Sequence, residues 1–126
     1  MATILHLENE DFDNQNILKS ELIFSDDKNT LKIGKDDLCM IMIYANWCPY
    51  CVNAKPIYEK FAKECNIKFF KINVDTEKEL MTRINKIVGE KFTLPSFYFF
   101  KNGKKIGKHN GERTVEGFQT SVNMYK

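Results

Sequence analysis

Two cysteines, Cys48 and Cys51, stand in Trp47-Cys48-Pro49-Tyr50-Cys51, directly after the apolar run 38–45 and directly before a helix-like pattern. An apolar strand that delivers a Cys-x-x-Cys to the first turn of a helix constrains the fold strongly, because that arrangement is a redox motif with a mechanism. On a helix, residues i and i+3 share one face, with Cβ atoms about 5–6 Å apart. A disulfide needs Cα atoms about 4.4–6.8 Å apart, so the pair can close a bridge and reopen it with little rearrangement. The helix N-terminus offers unsatisfied N–H groups and a partial positive charge, and both favour a thiolate. The dipole supplies at most about 2 kcal/mol, and one pKa unit corresponds to about 1.4 kcal/mol. Further lowering needs hydrogen bonds to the sulfur. Cys48, nearer the helix end, is expected to be the exposed, low-pKa nucleophile, and Cys51, one turn inside, the resolving thiol. Pro49 suits the first turn, where a missing N–H costs nothing. Trp47 is expected to pack beside the sulfurs and cover one flank.

The same two cysteines could be half of a metal site. A structural zinc needs four ligands, and Cys39, Cys65, His6 and His109 are scattered singly. No metal site is therefore expected, and the remaining metal alternative is a zinc or iron–sulfur module bridged between two chains through Cys48 and Cys51. At 126 residues, one domain over 1–126 can bury about two-thirds of its unfolded surface. A net charge of +2 with interspersed signs predicts no polyanion partner, hence no nucleic acid. The start Met-Ala-Thr-Ile-Leu-His-Leu-Glu has no basic n-region or apolar stretch of signal length, and nothing approaches a membrane span. The last residues are not a retention signal. A cytoplasmic location is expected. Arginine occurs only at Arg83 and Arg113, and lysine and asparagine are frequent, which hints at an AT-rich genome; for a viral chain the location would be the virion or host cytoplasm. In that compartment Cys-x-x-Cys is more often catalytic or metal-binding than structural. Cys39 and Cys65 read as buried small hydrophobes.

Along the chain, residues 3–7 read as a short strand and Glu8 to Lys19 as a first helix, with Phe12 and Leu18 as core contacts. Between 20 and 37, Leu22-Ile23-Phe24 and Leu31-Lys32-Ile33 flank the turn-rich Ser25-Asp26-Asp27-Lys28-Asn29, which predicts a hairpin or an extended loop. Residues 38–45 suit a central strand buried on both faces. In 49–65, Ala54, Ile57, Tyr58, Phe61, Ala62 and Cys65 recur at helical steps, with Pro56 expected to kink the helix. Residues 67–74 form a further apolar strand. Thr76 and Glu79 predict a capping box for a helix carrying Leu80, Ile84, Ile87 and Val88 and ending at Gly89. Strand, helix, strand, helix implies a βαβ unit with parallel strands. Pro95 opens the aromatic strand 96–101. Asn102-Gly103 is a hairpin signal, the lysine-studded 104–108 an edge strand, and Val115, Phe118, Val122 and Tyr125 the buried stripe of a last helix.

These features resemble the thioredoxin superfamily from about Leu5 onward. The opening Ile-Leu-His-Leu-x-x-x-x-Phe, Ala45-Asn46-Trp47 before the cysteines, the proline at Pro56 and Gly-Glu-Arg-Thr-x-x-Gly-Phe near the end resemble a disulfide isomerase-type domain. The resemblance implies an α/β thioredoxin fold, a central mixed sheet of four or five strands with helices on both faces, and an insertion at about 20–37. It implies a cis peptide before Pro95, packed against the cysteines, with the backbone of Leu94 free to pair with an extended substrate. Trp47, Pro49, Tyr50, Leu94 and Pro95 would then line the substrate site.

Two departures matter. The family usually carries a buried carboxylate six residues before the first cysteine, and the matching position is Met42. Lys71 matches the lysine that normally faces that carboxylate. Without its partner it must snorkel or be desolvated, and it is expected near Cys51 as a pKa-tuning residue. The Pro49-Tyr50 pair is glutaredoxin-like, yet the glutathione patch of glutaredoxins is missing from 106–111. The reading is a thiol–disulfide oxidoreductase with no cofactor beyond a reversible Cys48–Cys51 disulfide. Its partners would be disulfide-containing proteins, with a thioredoxin reductase or glutathione as electron source. The alternatives are a glutathione-coupled glutaredoxin-like enzyme and a binding module that docks a partner through 20–37.

Overall fold

The computed structural model describes residues 4–24 and 29–126. Thr3 of the expected first strand and the turn residues Ser25, Asp26, Asp27 and Lys28 lie outside that range. In chain order the elements are β1 (Leu5–His6), β2 (Glu21–Ile23), β3 (Thr30–Lys32), β4 (Cys39–Tyr44), α1 (Pro49–Glu64), β5 (Lys68–Asn73), α2 (Lys78–Met81), α3 (Ile84–Val88), β6 (Ser96–Lys101), β7 (Lys104–Lys108) and α4 (Val115–Tyr125).

The main sheet has five strands in the order β1-β5-β4-β6-β7. β4 pairs in parallel with β5 and antiparallel with β6, so the sheet is mixed. Every residue of β4 is buried, which explains its unbroken apolar sequence. Its side chains alternate between two cores. Met40, Met42 and Tyr44 meet Ala54, Tyr58 and Phe61 of α1 and Phe118 and Val122 of α4. Cys39, Ile41 and Ile43 meet Leu80, Ile84, Ile87 and Val88 of α2 and α3, together with Leu7, Phe12, Leu18 and Leu22. Helices therefore cover both faces. Tyr58 is buried at the middle of α1, and its hydroxyl reaches the carbonyls of Met40 (3.0 Å) and Phe70 (2.8 Å), tying the helix to two neighbouring strands.

The two apolar pieces on either side of residues 25–28 pair as the antiparallel hairpin β2–β3, a two-stranded sheet of its own. Asn102 and Gly103 carry positive φ of 54° and 81°, as a two-residue hairpin turn requires. Pro56 lies inside a continuous α1. Among the described residues, no helix is long and apolar enough to cross a membrane.

Two expected elements differ. Residues 8–19 form no α-helix: a single 3-10 turn at Asn9–Asp11 is followed by a Phe12–Leu18 bridge. The side chain of Asp13 accepts from the N–H groups of Gln15 (2.8 Å) and Ile17 (3.0 Å), and Asn16 sits at φ 64°. Aspartate and asparagine here satisfy the backbone locally and outcompete the helix. The Arg83 guanidinium then locks the segment, donating to the carbonyls of Asn9, Phe12 and Asp13 at 2.6–2.8 Å. The helix after β5 also lacks the Thr76–Glu79 capping box. Asn73 holds that turn, accepting from the N–H of Asp75 at 2.9 Å. The helix breaks into α2 and α3 at Arg83, whose backbone (φ −128°, ψ 4°) is not helical, and Gly89 ends α3 at φ 75°. Phe12 and Leu18 are core residues all the same, because the bridge buries them.

Candidate active site

β4 ends at Tyr44, the chain turns through Ala45-Asn46-Trp47, and Cys48 becomes the N-cap of α1 with Pro49 in its first turn. The backbone of Cys48 is extended (φ −86°, ψ 115°), which points its sulfur back over the helix end. The Cys51 N–H donates to Cys48 Sγ at 3.4 Å, so the sulfur takes one of the otherwise unsatisfied donors of the helix start. Cys48 Sγ also lies 3.8 Å from the Leu94 carbonyl oxygen. The Leu94–Pro95 peptide is cis, and Pro95 is buried. All four cysteines are free thiols.

The two sulfurs differ in acidity. Burial would raise Cys48, but hydrogen bonds from the Cys51 thiol and from the backbone at Cys51 and Tyr50, together with the Arg113 charge, outweigh it and hold Cys48 below the ordinary cysteine value. Burial pushes Cys51 up to about 11, and its position beside Cys48 adds to the rise. The pair is thus split into a thiol that ionises readily and one that resists. Burial likewise pushes Cys39 to about 12 and raises Cys65. Both are buried, as small apolar residues would be.

Three expectations change in detail. Cys48 is not exposed: only 5% of its surface is accessible, against 2% for Cys51, because its sulfur is tucked between the helix end and Leu94. Trp47, expected to cover one flank of the sulfurs, leaves most of its own surface in solvent. It is 68% exposed, and with Tyr50 (66%) and Val52 (56%) it makes an open apolar rim. Lys71 does pair in register with Met42, and burial lowers its pKa, but the charges it meets are Lys55 and Glu59. His6, bonded to the Tyr44 hydroxyl at 2.8 Å, feels Lys71 and Lys55 in turn. Arg113, from the segment before α4, adds the smallest of the lowering effects at both sulfurs, behind the local hydrogen bonds. Sequence reasoning missed it, because Arg113 is distant in sequence; its place in the Gly-Glu-Arg-Thr motif was the available signal. Among the described residues, no group of three or more histidine, cysteine or acidic side chains could hold a metal ion.

The thioredoxin family model matches residues 20–124. The chain belongs to the thioredoxin family. A thioredoxin of Neurospora crassa is 36% identical over 78 residues, which cover 59% of this chain and 57% of that protein. A thioredoxin of Ictalurus punctatus is 31% identical over 91 residues, covering 68% of this chain and 80% of its own length. The crystal structure of Chlamydomonas reinhardtii thioredoxin f2 superposes with a TM-score of 0.67 at 19% identity, over 98% of this chain and 97% of that one. This thioredoxin-family chain has the thioredoxin fold, with its mixed five-stranded sheet flanked by helices. It is a thiol–disulfide oxidoreductase, as the family's members are.

Proposed function

We propose that Cys48 and Cys51 carry the exchange. The Cys48 thiolate attacks one sulfur of a substrate disulfide, forming a Cys48–substrate mixed disulfide and releasing the other substrate sulfur as a thiolate. Cys51 then loses its proton and attacks Cys48 Sγ. This leaves the Cys48–Cys51 disulfide and a fully reduced substrate, and the reverse sequence donates the disulfide. The observation that carries this reading is the split between the two sulfurs at the start of α1: Cys48 capped by the Cys51 N–H at 3.4 Å and held acidic, Cys51 buried and held near 11. A nucleophile must be ionised at working pH, and the resolving thiol must stay protonated until the mixed disulfide forms.

The substrate is a protein disulfide in an extended segment. Its support is the open rim of Trp47, Pro49 and Tyr50, with the Leu94 carbonyl 3.8 Å from Cys48 Sγ and the buried Pro95 next in the chain. A backbone at that position can pair with an extended chain. Electrons come from a reductase or from glutathione, and the pair cycles in a reducing compartment such as the cytoplasm. Residues 1–126 act as one unit, with the β2–β3 hairpin as an insertion on the face away from α1; Leu22 joins the core there. Lys71 is left outside the proton chemistry, since Lys55 and Glu59 are the charges it meets.

The test is a trapping experiment with a disulfide-bonded peptide. Cys51→Ser should accumulate a stable mixed disulfide mapped to Cys48, and Cys48→Ser should accumulate none. A mixed disulfide on Cys51, Cys39 or Cys65 would overturn the assignment.

A further inference from the structure

Ser96 opens β6 as the one small polar residue before an aromatic run, Phe97-Tyr98-Phe99-Phe100, and it is 2% exposed. Alternation along the strand sets its direction. Phe97 and Phe99 belong to the core that holds Cys48 and Cys51, whereas Tyr98 and Phe100 belong to the core on the other face. Ser96 therefore points away from the sulfurs. An alanine would fill the same space. What the serine adds is one bond: its Oγ donates to the Thr93 carbonyl. That bond spans Leu94 and Pro95, and the Leu94 carbonyl oxygen lies 3.8 Å from Cys48 Sγ. The hydroxyl thus closes, from behind, a loop whose tip touches the nucleophile.

The segment between α3 and β6 is fastened to the sheet at both ends. At its start, the Glu90 carboxylate accepts from the Tyr98 hydroxyl at 3.0 Å and pairs with Lys108 at 3.1 Å and Lys105 at 3.5 Å. At its end, Ser96 holds Thr93. In between, Thr93 is exposed and Leu94 only partly buried, so packing alone does not set the Leu94 backbone. Ser96 itself is fixed, because it pairs in register with Ile43 of β4. That strand runs on through Tyr44 and Ala45 to Cys48. One strand therefore places both the nucleophile and, through the serine hydroxyl, the backbone beside it.

We propose that Ser96 is a positioning residue for peptide substrates: through the Thr93 carbonyl it holds the Leu94 backbone beside Cys48 Sγ, ready to pair with the extended chain that carries the disulfide. This rests on the reading of Cys48 as the nucleophile and of Leu94 as the backbone that meets the substrate. Without the hydroxyl, the Thr93 carbonyl turns to water, the loop samples other conformations, and each peptide must order it on binding. A small disulfide with no peptide backbone makes no such demand.

The test is single-turnover reduction of two substrates, a disulfide-bonded peptide and hydroxyethyl disulfide, by the reduced wild type, Ser96→Ala and Ser96→Thr. In each case two electrons pass from the Cys48 and Cys51 thiols to the substrate disulfide. The readout is the ratio of the second-order rate constants, peptide over small disulfide, because a change at the sulfur itself moves both. Ser96→Ala should lower that ratio about 5- to 30-fold, the scale of re-ordering one residue's backbone, with the small-disulfide rate little changed. Ser96→Thr keeps the hydroxyl and should keep the ratio. An unmoved ratio in Ser96→Ala, an equal loss on both substrates, or a threonine variant that loses as much as the alanine one overturns the proposal. So does a Ser96→Ala protein that is unfolded at the assay temperature, since the hydroxyl would then support the whole fold. If the wild type reduces neither substrate, the reading of the redox centre is what fails.

Discussion

Alkylation of the reduced protein by iodoacetamide puts a number on the asymmetry of the two sulfurs. With a pKa of about 11, Cys51 is ionised in about one molecule in 10,000 at pH 7. A cysteine at 9.0 is ionised in about one in 100, and Cys48 is held below that value. The thiolate fraction therefore favours Cys48 by at least about 100-fold. Intrinsic nucleophilicity runs the other way, because a more basic thiolate reacts faster, with a Brønsted slope of about 0.4–0.5. Over the same interval that returns roughly 6- to 10-fold to Cys51. The net expectation is that Cys48 is labelled at least about 10 times faster than Cys51 at pH 7. Mass mapping at short times should find one label, on Cys48. The rate at Cys48 should level off as pH rises past its pKa, whereas the rate at Cys51 should climb about tenfold per pH unit up to about pH 10. Equal labelling, or labelling of Cys51 first, would refute the reasoning from local hydrogen bonding and burial.

Other consequences follow from the same packing. Burial lowers the His109 pKa, the bonds at Glu112 and Gly111 oppose this, and Arg113 adds to it; the folded value lies below the unfolded one, so the unfolded chain takes up the proton first. Stability should therefore fall as pH drops from about 7 through the folded pKa. His109→Gln should flatten that slope in melting curves, leaving the part due to His6, which shifts the same way. Tyr58→Phe removes a buried hydroxyl that serves two strand carbonyls and should cost about 1–2 kcal/mol in urea unfolding. At Gly103, φ is 81° and a Cβ would stand 2.6 Å from the Leu18 carbonyl oxygen. Gly103→Ala should cost about 2 kcal/mol or more, against little effect for Gly111→Ala, where the nearest atom is 3.4 Å away.

What could be read from the chain depended on whether neighbours in sequence settle the matter. The apolar run 38–45 suits a strand buried on both faces, and Cys39–Tyr44 within it is one. Asn102-Gly103 supplies its own left-handed conformations, and the turn falls there. The periodicity from Ala54 to Phe61 outweighs Pro56, and α1 is continuous from Pro49 to Glu64. Where the outcome depended on a distant partner, the residues were ambiguous. Residues 8–19 offer only Phe12, Ile17 and Leu18 as apolar positions, and Asp13 and Asn16 close a local turn that Arg83, far along the chain, fastens. The split at Arg83 has the same origin, since its guanidinium is committed to that earlier segment. At the site, the motif announces the cysteines, but not which cation reaches them. A small lowering at both sulfurs comes from Arg113 in the β7–α4 connection, whereas the charges Lys71 meets are Lys55 and Glu59.

The reduction potential of the protein, equilibrated against defined glutathione buffers and resolved by mass mapping of the bridge, tests the central claim most directly. A single two-electron transition that forms the Cys48–Cys51 disulfide, with a midpoint between about −270 and −120 mV, is the result this account predicts. Failure to form that bridge across the range, or a bridge that recruits Cys39 or Cys65, would contradict it.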